Sequence, residues 1–323
     1  MFILKVLRKV YSKLYKKEKK LPECIKDAQK ASDLIYNKLN TNLPVMIARY
    51  GGFELSTIIN YLGVINKNKN LINYIKGKEP DWFWNKKTLD FLNFNAGFFP
   101  ITEENIIKFC EIMINDSKEV DILASWQENE LYMNTFLDDH KKIHLRFLEP
   151  FWSNNPWTKV LKNKKILVIH PFKHTIENQY KKRELLFENK DTLPEFKSLT
   201  VIRAIQSLGG NNSEFKDWFE ALEYMKNEID KVDYDICLIG AGAYGFPLAA
   251  HVKRQGKQGI HIGGALQLFF GIKGSRWEIP DLEVKNWGIE PGFYLKLMND
   301  YWVRPDETER PKNSEKVEGN SYW

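Results

Sequence analysis

The sequence predicts an α/β fold built on a doubly wound, mainly parallel, Rossmann-like sheet. Seven short apolar runs resemble buried strands, and helical patterns separate several of them. Helices cover both faces of a parallel sheet, so its strands are apolar almost throughout, whereas the strands of a half-exposed sheet alternate. The predicted strands are 45–48, 121–125, 143–148, 165–170, 199–206, 235–240 and 258–263.

Apolar residues at helical spacing occupy much of the chain between these runs. Gly63 closes a helix that starts at 53, and Thr102 marks the start of another. A segment rich in asparagine, lysine and aromatic residues, 64–100, is predicted to be a helical insertion. The predicted helices are 23–40, 53–63, 102–116, 175–188, 213–230 and 246–255.

The predicted domain organisation has four parts. They are a basic amphipathic helix in 1–22, an N-terminal α/β half in 23–155, a Rossmann-like half in 156–300 and a polar tail in 301–323. Chain termini are often loose, which favours a disordered tail. The tail nevertheless ends in Tyr322 and Trp323, two aromatic residues that favour packing onto the body. Both alternatives stay open at this point.

The positive charge is concentrated at the N-terminus. The net charge is +6, but the first 20 residues hold eight basic residues and one acid, so that segment is +7 and the rest is −1. Nucleic-acid-binding domains carry their basic residues on the body, so no nucleic-acid partner is expected. No run reaches the roughly 20 apolar residues of a membrane-spanning helix. Three cysteines without metal-ligand spacing indicate structural roles in a reducing, cytoplasmic compartment.

The N-terminal segment has apolar residues at helical spacing with lysines between them. This pattern is typical of a helix that lies on an anionic membrane surface. We therefore predict that residues 1–20 hold the protein at the inner face of the membrane as a peripheral protein. The alternatives are a helix docked on the body with its lysines in solvent, or a frayed tail.

The first candidate site is the turn after the first strand. In a doubly wound sheet, ligands bind outside the carboxyl ends of the strands. The turn places Arg49, Gly51, Gly52 and Glu54 there. Arginine pairs with phosphate, and a carboxylate at a helix start binds Mg²⁺ or Mn²⁺ or acts as a base. The alternative is a solvated Glu54 that the helix dipole favours. Trp126, Gln127 and Glu149 also follow strands.

The second candidate site lies within 238–264, where a G-x-G-x-x-G turn stands between a strand and a helix. Such glycines let a phosphate approach the backbone at the helix N-terminus. An NAD site needs an acidic residue near the end of the next strand, and none stands there, so NAD is not expected. Alternatively, the glycines serve only packing. The candidate phosphate-binding residues are Gly240, Gly242, Tyr244, Gly245, Gly263 and Gly264.

The third candidate site follows the strand 165–170. His170 is a candidate base, and Lys173 is a candidate phosphate contact. His170 and His174 are four residues apart, but Pro171 lies between them, so helical metal-binding geometry does not apply. A histidine that is packed and hydrogen-bonded within the fold is the alternative.

These segments together resemble the glycosyltransferases of the GT-D fold. In that family, a first turn of the type Arg-Phe-Gly-Asp-Gly-Glu carries an Asp-x-Glu site for a metal and a nucleotide sugar. Arg49, Gly51 and Glu54 match it, Gly52 takes the aspartate position, and His261-Ile262-Gly263 takes the place of a late Asp-Ile-Gly. The resemblance covers the order of elements from about 44 to 277.

The resemblance implies a transferase that uses a nucleotide-activated sugar donor and a glycan or lipid-linked acceptor, in capsule or surface-polysaccharide biosynthesis. Arg49 and the turn 240–245 would hold the diphosphate, and Glu54 would be a Mn²⁺ or Mg²⁺ ligand or a base. His170 would be a second candidate base. Two other functions stay open: a dinucleotide-dependent oxidoreductase and a non-catalytic nucleotide-binding assembly protein.

Overall fold

Seven parallel strands form one sheet in the computed structural model, which describes residues 2–15, 20–137, 140–207, 214–311 and 321–323. The order of the strands across the sheet is β3-β2-β1-β7-β6-β4-β5. Every pair of neighbouring strands is parallel. The strands are β1 (Val45–Ala48), β2 (Ile122–Ser125), β3 (Lys141–His144), β4 (Lys165–His170), β5 (Ser198–Arg203), β6 (Ile236–Ile239) and β7 (Gln258–His261).

The helices lie on both faces of this sheet, which confirms the predicted doubly wound α/β class. They are α1 (Phe2–Leu14), α2 (Ala28–Leu39), α3 (Gly52–Ile65), α4 (Leu71–Ile75), α5 (Lys86–Ala96), α6 (Glu103–Ser117), α7 (Lys173–Tyr180), α8 (Arg183–Leu186), α9 (Trp218–Asp230), α10 (Gly245–Arg254), α11 (Leu266–Phe269), α12 (Val284–Trp287) and α13 (Phe293–Leu297).

Alternate residues of each central strand enter two different hydrophobic cores. Met46 and Ala48 of β1 pack in the core that holds α3, α5, α6, α9 and α10. Val45 and Ile47 pack in the core of α2, α7, α8 and α11. Successive strand side chains point to opposite faces, so a strand buried on both faces must be apolar at every position. This requirement explains the continuous apolar runs.

The two predicted α/β halves contribute strands to the same sheet. β1, from the first half, pairs with β7, from the second, with Ile47 opposite Ile260. The predicted boundary near 155 falls between β3 and β4, and the division itself stays a prediction. Two strand predictions are too long: β5 ends at Arg203, and β3 ends at His144, after which Leu145–Leu148 form a 3₁₀ helix. The Nδ1 atom of His144 accepts a hydrogen bond from the backbone N–H of Arg146, at 3.4 Å, and caps that turn.

The helix α1 meets the body through its basic residues. Arg8 forms an ion pair with Asp81 at 3.3 Å, and the Nζ atom of Lys5 lies 4.1 Å from the ring centre of Phe83. Apolar residues of α1 remain in solvent, among them Ile3, which is 70% exposed, and Leu14, which is 72% exposed. No helix within the described ranges is long and apolar enough to cross a membrane.

The chain end packs onto the body, as one of the two alternatives for the tail expects. Trp323 is buried, and its carbonyl oxygen accepts a hydrogen bond from Arg304 at 2.7 Å. The carbonyl oxygen of Tyr322 accepts one from the side chain of Gln267 at 3.2 Å. Residues 312–320 of the predicted tail, and residues 1 and 16–19 of the predicted N-terminal helix, lie outside the described residues.

Candidate active site

A cavity of about 700 Å³ opens at the carboxyl end of the sheet. Its wall is formed by residues that follow β1, β2, β3, β6 and β7, together with residues from the last third of the chain. This is where a doubly wound sheet binds ligands, because the turns after parallel strands converge there. Seven of the sequence-predicted site residues line it: Arg49, Gly51, Gly52, Glu54, Gly242, Gly263 and Gly264.

The turn after β1 places a buried carboxylate at the start of α3. Gly51 is the N-cap, and Glu54, only 6% exposed, lies in the first turn of the helix. A Cβ atom on Gly51 would stand 1.9 Å from Oε2 of Glu54, so glycine is what allows the carboxylate to fold back over the helix N-terminus. The partial positive charge of that terminus favours a negative group there.

Arg49 extends from β1 towards the turn after the neighbouring strand β7. Its Nε atom lies 3.6 Å from the position that a Cβ of Gly263 would occupy, and its guanidinium lies 5.8 Å from the ring centre of Trp126. The Nε atom is buried and has no hydrogen-bond partner among the described residues. A buried donor without a partner costs free energy, so this atom is available to a ligand on the cavity wall.

His261, the last residue of β7, is a neutral histidine beside Arg49. Burial lowers the pKa of His261 to about 3, and the charge of Arg49 acts in the same direction, while a hydrogen bond with the backbone of Ile239 opposes both. The Nδ1 atom of His261 is also buried without a partner among the described residues. At this part of the cavity wall Arg49 is charged and His261 is neutral.

The G-x-G-x-x-G turn after β6 reaches the cavity at a single glycine. Gly242 lines the wall with a left-handed φ of 51°. A Cβ on Gly240 would lie 2.6 Å from the His170 ring, and one on Gly245 would lie 2.2 Å from the His261 ring. The hydroxyl of Tyr244 is hydrogen-bonded to Ser207 at 2.9 Å, away from the cavity. Gly240 and Gly245 thus make room for histidine side chains.

The structure does not bring His170 and Lys173 to this cavity. His170 is buried, its Nδ1 atom accepts a hydrogen bond from the backbone N–H of Phe172 at 3.1 Å, and burial lowers its pKa to about 3. Lys173 is the first residue of α7, whose N-terminus is capped by the carboxylate of Glu309. That carboxylate accepts hydrogen bonds from the backbone N–H groups of His174 and Thr175 at 2.6 and 3.2 Å.

The loop after β2 supports the turn after β1. The side chains of Trp126 and Gln127 both donate hydrogen bonds to the carbonyl oxygen of Tyr50, at 3.2 and 3.1 Å. The buried carboxylate of Glu130 accepts hydrogen bonds from the backbone N–H groups of Trp126 and Gln127 and holds the loop. The sequence places Trp126 and Gln127 after a strand, but nothing in it separates them from other loop residues.

Glu149 is a buried carboxylate on the cavity wall that the sequence does not single out as a site residue. It is 8% exposed, and its Oε2 atom accepts hydrogen bonds from the hydroxyl of Tyr294 at 2.8 Å and from Nε1 of Trp152 at 3.0 Å. Burial raises its pKa to about 7, although both hydrogen bonds and the charge of Arg146 act to lower it. In the sequence, Glu149 is marked by its position directly after a predicted strand.

The last third of the chain completes the wall with residues that sequence reasoning missed. The ring of Tyr322 packs on Gly264, where a Cβ would lie 2.1 Å from it, and its hydroxyl accepts a hydrogen bond from Arg276. No strand or motif precedes these positions in sequence, so no local pattern marks them. They are Arg276, Trp277, Leu282, Glu283, Trp287, Tyr294 and Tyr322.

Within the described residues, no group of three or more histidine, cysteine, aspartate or glutamate side chains is placed to hold a metal ion. The metal role predicted for Glu54 therefore stays a prediction. Mg²⁺ is often held by one or two carboxylates together with substrate phosphates, and Glu54 is the carboxylate that the turn after β1 supplies.

These features define an α/β protein with a ligand cavity at the carboxyl ends of a doubly wound parallel sheet. No protein-family model and no curated protein matches the chain. A solved structure described as "Selenomethionine substituted structure of domain of unknown function 1792 (DUF1792)" is similar at a TM-score of 0.39 and 11% identity, over 81% of this chain and 82% of that one. A likeness at that score and identity does not establish a shared function.

Proposed function

We propose that the protein is a glycosyltransferase that binds a nucleotide-activated sugar in this cavity. The observation that carries the proposal is Arg49: a guanidinium on the cavity wall whose buried Nε atom has no hydrogen-bond partner among the described residues. Arginine forms short, charge-assisted hydrogen bonds with phosphate, and its planar donors suit two phosphate oxygens at once.

The surroundings of Arg49 suit a diphosphate. Gly52 on one side and Gly263 on the other line the wall without side chains, and no atom of the described residues comes closer than 3.6 Å to the position that a Cβ of either would take, so phosphate oxygens can approach the backbone there. The start of α3 faces the same wall, with the Glu54 carboxylate folded back over it. The aromatic residues of the wall offer flat surfaces for a base or a sugar ring.

The chemistry of glycosyl transfer suits a site of this kind. As the bond between the sugar and the diphosphate breaks, negative charge develops on the leaving phosphate oxygen, and a fixed guanidinium stabilises it. Glu54, close to the same turn, is our candidate metal ligand or base. The β7 strand ends in His261, and no acidic residue follows it before Gly264, so the ribose ligand of an NAD site is missing.

Thermal unfolding with ligands tests the binding site. UDP or GDP at saturating concentration is expected to raise the melting temperature more than NAD⁺ or NADH does, since a ligand at 100 times its Kd stabilises the folded state by about 2.7 kcal/mol. Arg49→Gln should abolish the effect. Arg183→Gln, a change at α8 outside the cavity, is the matched control and should retain it.

Two results would contradict the proposal: stabilisation by NAD(H) alone, or undiminished nucleotide stabilisation in Arg49→Gln. Nucleotide binding without turnover on any sugar donor would favour the non-catalytic alternative.

We further propose that the enzyme works on a glycan or lipid-linked acceptor in capsule or surface-polysaccharide biosynthesis, at the cytoplasmic face of the membrane. The exposed apolar residues of α1 support this location, because most of them stand unburied on a helix that carries lysines and arginine. Basic residues near an anionic surface contribute about 1 kcal/mol each, and salt screens them. Inserted apolar side chains add attraction that salt does not remove.

Liposome sedimentation tests this location. The full chain is expected to sediment with phosphatidylglycerol-containing vesicles and to ignore pure phosphatidylcholine, and moderate salt should weaken the binding only in part. Deleting residues 1–20 should release the protein while circular dichroism and the melting temperature of the body stay unchanged. A full chain that ignores anionic vesicles at low salt would defeat the idea. A truncated chain that unfolds would show instead that α1 is part of the core.

A further inference from the structure

We infer that Glu149 is the catalytic base that deprotonates the acceptor hydroxyl, which adds a residue and a step to the transferase proposed above and rests on it. The inference starts from the position of Glu149 in the cavity. Glu149 follows the 3₁₀ helix Leu145–Leu148 that comes after β3, and Arg49 follows β1. Both residues line the same cavity of about 700 Å³. A sugar held by its diphosphate at Arg49 therefore shares this cavity with Glu149.

The hydrogen bonds of Glu149 leave one oxygen for a ligand. Both of its partners, Tyr294 and Trp152, donate to Oε2. Oε1 accepts no hydrogen bond from the described residues, and Glu149 itself lines the cavity. A carboxylate held firmly through one oxygen keeps the other in a fixed place, and that is what a general base requires of its geometry.

The electrostatic surroundings support the same role. Arg146 on the same segment and the hydrogen bonds from Tyr294 on α13 and from Trp152 act to lower the pKa of Glu149. Glu283 at the start of α12 is a charged group that acts on Tyr294. Burial outweighs the groups that lower it and raises the pKa of Glu149 to about 7. A base works best when its pKa lies near the operating pH, because it is then deprotonated and still accepts a proton readily.

The step balances as a single displacement. Oε1 of Glu149 takes the proton of the acceptor hydroxyl, and the hydroxyl oxygen forms a bond with the anomeric carbon of the sugar. The bond from that carbon to the diphosphate breaks, and its electron pair leaves on the phosphate oxygen beside Arg49. Glu149 then returns its proton to water. Tyr294, which holds Oε2, is a positioning residue in this scheme.

The experiment measures release of UDP or GDP from a panel of UDP- and GDP-hexoses in the presence of octyl glycosides. Glu149→Gln is expected to lower the rate by about 10²- to 10⁴-fold, the usual contribution of a general base. The rise in melting temperature with UDP should be unchanged, since the diphosphate binds at Arg49. Glu223→Gln, which changes a carboxylate on α9 outside the cavity, is the matched control and should keep the wild-type rate.

The pH profile separates catalysis from structural support. The wild-type rate should fall as the pH drops below about 7, because Glu149 then becomes protonated. The hydroxyl of Tyr294 favours the charged form, so Tyr294→Phe should move this fall to higher pH. Glu149→Gln should lose the fall altogether.

A Glu149→Gln protein that keeps UDP binding and works within threefold of the wild-type rate would overturn the role of Glu149 and leave the transferase standing. A wild-type protein that releases no nucleotide from any of these donors would count against both.

Discussion

Two glycine turns of this chain resemble each other in sequence and differ in the structure. The turn 49–54 after β1 opens to the cavity with Arg49, Gly51, Gly52 and Glu54 all on the wall. The turn 240–245 after β6 matches the better-known phosphate motif, yet only Gly242 reaches the wall. Its other two glycines face the rings of buried histidines.

The comparison shows that a glycine after a strand has two different uses. It leaves space either for a ligand or for a neighbouring side chain, and the local sequence is the same in both cases. Gly245 makes room for His261, a residue on the next strand, and Gly240 makes room for His170 on β4. The surroundings of Gly240 and Gly245 therefore agree with the alternative that the glycines of this motif serve packing.

The largest effect of a change in these two turns is expected from Glu54, the carboxylate in the turn 49–54 after β1. Glu54→Gln has nearly the same shape but carries no charge, so turnover should fall by about 10²-fold or more if Glu54 is a base or a metal ligand. The melting temperature should change little. Nucleotide release from the UDP- and GDP-hexose panel measures turnover, and thermal unfolding measures the melting temperature.

Gly51→Ala is the companion variant, since its Cβ displaces the flexible end of Glu54 and should reduce turnover without removing the residue. If both variants keep the wild-type rate, Glu54 is neither the metal ligand nor the base, and Glu149 is the buried carboxylate of the cavity wall that remains to carry the catalytic role.

A smaller effect, on stability alone, is expected from the turn 240–245 after β6. The Cβ of Gly245→Ala would stand 2.2 Å from the ring of His261, a buried side chain. Overpacking of this kind costs about 1–3 kcal/mol of the free energy of unfolding, and urea denaturation measures it. Unchanged stability would show that the turn has space that the structure does not indicate.

The smallest effect is expected from Gly52→Ala in the turn 49–54 after β1. This substitution is the control for Gly245→Ala. A Cβ on Gly52 would meet Trp126 at 3.6 Å and Gln127 at 3.8 Å, which are ordinary contacts. Gly52→Ala should change the free energy of unfolding by less than about 1 kcal/mol and is expected to stabilise. A loss as large as that of Gly245→Ala would remove the contrast between the two turns.

Much of the fold was predictable because it depends on local periodicity. Strands buried on both faces are largely apolar, so β1, β4 and β6 stand out in the sequence. β3 was predicted too long, because Leu145–Leu148 remains apolar after the backbone turns into a 3₁₀ helix and packs in the same core. α12 and α13 were not predicted, since helices of four and five residues hold too little periodicity.

The sequence by itself determined the α/β class, the parallel sheet and the edge at which the cavity opens, because these follow from which residues are apolar and which residues come after each strand. Only the tertiary structure decided which glycine turn opens to the cavity and which residues complete its wall. Glu149 and Tyr294 are 145 positions apart in the chain and meet through one hydrogen bond. Such a contact depends on how strands and helices pack, and no local pattern of residues carries that information.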